Sequence, residues 1–170
     1  MVMKVKGRKI MQHFTIKEFE CRCWCEMPAD VARSIEALVS QVLDPVRSLF
    51  GKAIKVNSGY RCAKHNAEIG GAVHSQHIKG EAADICAAPR DYANMMAWKQ
   101  ANMEIARLIV KVGTFDQLIL ENVGAKDLRP QWVHVSYKRG GGNRGQVLKK
   151  VSGQKGYYTL NPGEMTELLK

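Results

Sequence analysis

The stretch Ser75-Gln76-His77-Ile78-Lys79-Gly80-Glu81-Ala82-Ala83-Asp84 constrains the fold more than any other part of the chain. His77 precedes Gly80, a residue that admits a tight turn. Asp84 follows within Ala82 to Ala88, a short apolar run closed by Pro89 and read as a buried strand. A turn between them brings an imidazole and a carboxylate to one point, and the small Ala82 and Ala83 let neighbouring backbone pack closely. A second imidazole, His134, stands mid-strand in Trp132-Val133-His134-Val135-Ser136. Two histidines and one carboxylate make a three-ligand set that leaves a fourth position for water, the arrangement of catalytic rather than structural zinc. The fold must therefore carry residues distant in the chain to a common place.

Around that stretch the pattern is mixed. From Met27 to Phe50, the residues Val31, Ile35, Leu38, Val42, Val46 and Leu49 recur at helical spacing. Pro28 suits a first turn, and Pro45 is expected to kink this helix or end its first part near Leu43. Ala53 to Ser58 reads as a strand, and Asp91 to Val112 as helix, in one piece or in two around Asn102, with Gly113 a natural stop. Phe115 to Glu121 and Trp132 to Tyr137 read as an antiparallel pair, and the tail from Gly140 is expected to loop over the surface. Helices first and strands mostly later, without regular alternation, predict an α+β fold. At 170 residues, with no internal repeat or low-complexity linker, one domain is expected. No stretch approaches the roughly 18 apolar residues of a membrane-spanning helix.

Charge is lopsided: 26 Lys and Arg oppose 16 acids, a net +10. Lys138, Arg139, Arg144, Lys149, Lys150 and Lys155 fall in a segment without acids. This reads either as a solvated surface or as attraction to an anionic polymer. No basic stripe interleaved with aromatics is present, so no nucleic-acid partner is expected. The odd count of five cysteines forbids complete internal pairing. Cys21, Cys23 and Cys25 alternate, a poor spacing for a zinc knuckle, and would share one side of an extended segment. They read as buried thiols near a loop, with a disulfide or a second metal as the alternative. Lys4, Lys6, Arg8 and Lys9 have no apolar segment behind them, so a secretory signal peptide is not expected and the chain should stay where it is made, in the cytoplasm.

Ser-x-His-x-x-Gly-x-Ala-x-Asp followed by Trp-x-His resembles the zinc D-alanyl-D-alanine carboxypeptidase and L-alanyl-D-glutamate endopeptidase family, which shares its fold with the hedgehog signalling domain. Ser58-Gly59-Tyr60-Arg61, Asn66 with Gly70-Gly71, Phe14 to Phe19 and Asn143-Arg144 extend the likeness. The resemblance implies a zinc peptidase-like domain over 14–170, after an N-terminal extension over 1–13, with helices packed on a small, mainly antiparallel sheet carrying the zinc. It implies zinc ligation by His77, Asp84 and His134, and an Arg61 that holds a substrate carboxylate or carbonyl. Ser75 would support the site by hydrogen bonds or serve as a turn residue. A monomer acting on the peptide stem of peptidoglycan is expected, with no membrane partner. A wall substrate without a signal peptide fits a phage or prophage endolysin released by a permeabilising partner.

One position departs from the family pattern. Many relatives carry an acid three residues before the last zinc histidine, where this chain has Gln131, whose neutral amide cannot accept a proton. Strand alternation puts Glu121 on the histidine side if the valine and leucine faces meet one core, which makes Glu121 the favoured general base and Asp116 the second candidate. Without such a base, the alternative reading is a non-catalytic wall-binding module that retains a structural zinc.

Overall fold

Most of the apolar stripe of the first helical segment is buried as its spacing requires: Val31, Ile35, Leu38, Val42 and Val46 sit in the core, whereas Leu49, expected on the same stripe, is exposed at the end of the segment. The computed structural model describes residues 11–170, so most of the expected extension over 1–13 lies outside the described residues. Helix α1 spans Ala29–Leu38 and α2 spans Asp44–Phe50. Pro45 does not break the path between them. Val39–Leu43 widens into a π-helical turn, with the Asp44 N–H donating to the Val39 carbonyl. Pro45 has no N–H to offer the Gln41 carbonyl, and the Thr114 hydroxyl donates to that oxygen instead, at 2.9 Å.

After α2 come strand β1 (Ile54–Ser58), the short helix α3 (Ala63–Glu68), a 3-10 turn over Gln76–Lys79 and strand β2 (Ala82–Ala87). Helix α4 is one run, Met95–Val112, capped by the Asn94 side chain and closed by Gly113. Asn102 divides nothing. It is fully buried, its side-chain oxygen accepts from the Ala87 N–H at 2.8 Å, and its amide donates to the Pro130 and Gln131 carbonyls. A polar side chain inside a helix thus ties the end of one strand to the approach of another.

Strands β3 (Gln117–Val123) and β4 (Trp132–Ser136) form the expected antiparallel pair. The tail departs from the expected surface loop: β5 (Gln146–Val151), β6 (Tyr158–Thr159) and α5 (Pro162–Leu168) follow the glycine-rich segment. The sheet order is β1-β2-β4-β3-β5-β6, antiparallel except where β5 runs parallel to β3. Three steps along β3, Leu120 to Val123, match two along β5, Lys149 to Val151. The extra residue is a bulge with Asn122 in the left-handed region (φ 56°), so Val123 returns to the core face. The result is an α+β domain in which Ala83, Ile85, Leu118, Leu120, Val133 and Val135 meet the helices, leaving the opposite sheet face for polar side chains. Among the described residues, no helix is long and apolar enough to cross a membrane.

Candidate metal centre

Strand register places the first two groups. Asp84 of β2 lies directly opposite His134 of β4, and both side chains leave the sheet on the face away from the helices. His134 Nδ1 stands 3.1 Å from Asp84 Oδ1.

His77 reaches them from the 3-10 turn. The Ser75 hydroxyl accepts from the His77 N–H, and Gly80 ends the turn at φ 69°, where a Cβ would stand 2.6 Å from the Val31 carbonyl oxygen. Glycine is required there on both counts. The buried His77 ring places Nδ1 2.7 Å from the Gly59 carbonyl oxygen. A carbonyl only accepts, so Nδ1 carries the proton and the Nε2 lone pair faces the site. Nε2 lies 3.3 Å from His134 Nδ1 and 3.4 Å from Asp84 Oδ2. Burial alone would raise the Asp84 pKa, yet the neighbouring imidazoles of His134 and His77 hold it well below the ordinary carboxylate range.

These spacings suit one small ion. Ligands about 2.0–2.1 Å from a tetrahedral centre stand roughly 3.3 Å apart, close to the 3.3 Å between the two ring nitrogens, with one Asp84 oxygen 3.1 Å from His134 and the other 3.4 Å from His77. The three donor atoms lie within 4.8 Å of one another, and they line a cavity together with Arg61, Gln76, Glu121 and Tyr157.

The two candidate acids separate cleanly. Glu121 is buried on the cavity wall, and among the described residues no group donates to its carboxylate. Burial and the negative charge of Asp84 push its pKa up to about 7, against the smaller pull of His134 and Lys150. Its backbone carbonyl accepts from the Gln131 N–H at 3.0 Å, so a strand neighbour of Gln131 carries the carboxylate that Gln131 lacks. Asp116, the second candidate, is corrected. It is fully buried off the cavity, with its oxygens taken by the Arg144 N–H and guanidinium, Lys138 Nζ and Gln76 Nε2. Burial opposes its charge, but those donors hold its pKa well below the ordinary range. Asp116 anchors the wall and has no lone pair free for water.

With the site assembled, comparison with known proteins places it. The profile of the family described as peptidase M15 matches residues 12–118. This chain belongs to the peptidase M15 family. The match holds His77, Asp84 and Arg61 and stops short of Glu121 and His134, which the sheet itself supplies to the M15 site. No curated protein matches the chain.

Other residues of this M15 chain fall into place around the three donors. Ser75 lines the cavity and caps the turn that carries His77. Arg61 Nη2 lies 3.9 Å from Asp84 Oδ2, and its buried Nε has no partner among the described residues. Asn143 closes the loop before Arg144 with a pair of hydrogen bonds to the Lys138 backbone, which aims Arg144 at Asp116. Sequence reasoning assigned nothing to Gln76, His74, Gln117 or Tyr157, all of them on the cavity wall. Gln76, adjacent to His77, was within reach of motif reading. Tyr157 had no local pattern to betray it.

Proposed function

We propose that this M15 chain is a zinc-dependent peptidase that hydrolyses amide bonds in the peptide stem of peptidoglycan, as a carboxypeptidase or an endolysin. One observation carries the reading: three donor atoms, one with its lone pair fixed by the Gly59 carbonyl, converge in an open cavity beside a carboxylate to which no described residue donates. His77 Nε2, Asp84 and His134 Nδ1 would hold the ion. When bound, zinc supplies Lewis acidity, which polarises a carbonyl and brings the pKa of water toward about 7.

The chain's own groups do the rest. Glu121 accepts the proton of the attacking water and passes it to the leaving amine, a task suited to a carboxyl whose pKa lies near the working pH. Arg61, with a donor to spare, orients a substrate carboxylate or carbonyl through its planar guanidinium. The net charge of +10 favours an anionic polymer, although Lys138, Arg144 and Lys149 are already paired with Asp116 and Glu164. Access to the wall is by release, as for a phage or prophage endolysin. Incubating the zinc-loaded protein with purified peptidoglycan, with and without chelator, should release new amines only without chelator, and mass spectrometry of the muropeptides names the bond. Retention on the wall without release would select the binding-module reading.

A further inference from the structure

Outside the M15 site, four of the five cysteines converge. Cys21, Cys23 and Cys25 lie on the loop after a 3-10 turn over Ile16–Phe19, and Cys62 caps α3. Their sulfurs all stand within 4.8 Å of one another, with Cys21 to Cys23 at 3.1 Å and Cys23 to Cys62 at 3.4 Å. All four are free thiols; only Cys86 stands apart. A disulfide needs about 2.05 Å. Four thiolates about 2.3 Å from a tetrahedral zinc stand roughly 3.8 Å apart, which is the scale of this cluster. An iron–sulfur cluster interposes its own sulfides and spreads its cysteines more widely.

The loop is folded for convergence rather than for burial. The Trp24 N–H donates to the Cys21 carbonyl at 3.0 Å, and Trp24 sits in the left-handed region at φ 61°. That turns the alternating run back on itself, so the extended geometry expected for it does not occur. A bulky residue pays strain in that region, yet the Trp24 side chain is 88% exposed and adds no core packing. Two backbone N–H groups point at sulfur, Cys62 to Cys21 Sγ and His65 to Cys62 Sγ, both at 3.4 Å. Such donors favour the thiolate over the thiol.

We propose that Cys21, Cys23, Cys25 and Cys62 form a closed tetrathiolate zinc site, separate from the histidine site. Binding exchanges four S–H protons for one divalent ion and moves no electrons. Four protein ligands leave no position for water, so this ion is structural. It pins the N-terminal loop to the segment that builds the other site. Gly59 packs so tightly on Phe19 that a Cβ would lie 2.6 Å from Phe19 Cα, and the Tyr60 N–H donates to the Phe19 carbonyl at 2.8 Å. Gly59 then holds the His77 ring, and Arg61 precedes Cys62.

Metal analysis of protein produced with zinc present tests this independently of peptidase activity. The unmutated chain should carry two zinc ions, His134→Ala one, Cys62→Ser one, and the double variant none. Cobalt replacement should give His134→Ala the intense near-ultraviolet charge-transfer bands of cobalt thiolate, which Cys62→Ser should lose. If Cys62→Ser does not fold, the cobalt spectrum of the unmutated chain decides, because histidine and carboxylate ligands produce no such bands. Absence of those bands, a disulfide between any two of the four cysteines, or four thiols freely reactive in zinc-replete protein would overturn the proposal.

Discussion

The two donor clusters of this M15 chain are built by opposite means. The histidine cluster is held by backbone that stands without an ion: an Asp84–His134 pair set by strand register, and a His77 ring fixed by the Gly59 carbonyl. The cysteine cluster rests on loop backbone, a left-handed Trp24 and weak N–H to sulfur contacts. A site that must keep one face open to substrate needs its ligands prepositioned, since an open ion has fewer bonds with which to organise them. A closed site has four bonds to the ion, and these can order the loop themselves.

The largest expected effect follows from this contrast. His134→Ala should lower peptidase activity at least about a thousandfold while changing stability by only about 1 kcal/mol. Cys62→Ser should do the reverse in kind, losing much of the thermal stability and only then, through the loosened Gly59 to Arg61 segment, the activity. Parallel melting curves and peptidoglycan assays on both variants measure this. Equal loss of stability in the two would erase the distinction.

Within the histidine region, the contrast recurs between two acids of the same segment. Among the described residues no group donates to the Glu121 carboxylate, whereas that of Asp116 is saturated. Glu121→Gln should reduce turnover by roughly 10²–10⁴-fold with metal content unchanged. In metal-free protein the same change should stabilise the fold at alkaline pH. The folded Glu121 pKa is raised to about 7, so its contribution is present below the unfolded value, about 4.3, and lost as pH rises through about 7. Urea unfolding at pH 5 and pH 8.5 should show the variant gaining more on the parent at the higher pH, by on the order of 1–3 kcal/mol.

Asp116→Asn should act on stability instead, costing about 2–4 kcal/mol at neutral pH because Arg144 and Lys138 lose a buried anion. The sign with pH is opposite to that of Glu121. The folded pKa is depressed, so the stabilisation is complete above the unfolded value of about 3.9 and declines as pH falls through the folded one. The gap between parent and Asp116→Asn in urea unfolding should therefore narrow below about pH 4.

How much of this was legible follows from whether the signal was local. The buried stripe from Val31 to Val46, the strands around Asp84 and His134, and the cavity side of Glu121 were all readable, because period and alternation report directly on which face is buried. Gln146 to Val151 was not, since Val147 and Leu148 are adjacent and Lys149 and Lys150 follow. Its strand state comes from parallel pairing with β3, a partner far away in the chain. The saturation of Asp116 depends on Arg144, which that unread tail presents. The cysteine cluster escaped for both reasons. A left-handed Trp24 contradicts the residue's own preference, and the fourth sulfur comes from Cys62, beyond two helices and a strand.

The fifth cysteine gives the smallest effect and the sharpest control. Cys86 is as buried as Cys21, yet it lies on β2 with its thiol 3.6 Å from Asn57 Oδ1, a weak donor contact, and it joins no metal-ligand cluster among the described residues. Cys86→Ala removes one sulfur from a packed strand and should cost about 1 kcal/mol or less. The zinc count should not change, because burial does not make a thiol a ligand; convergence with other thiols does. Metal analysis beside urea unfolding reads both quantities from one preparation. If Cys86→Ala lost zinc as Cys62→Ser is expected to, the metal would be following the integrity of the fold rather than the four sulfurs, and the two clusters would no longer be distinguishable by how they are built.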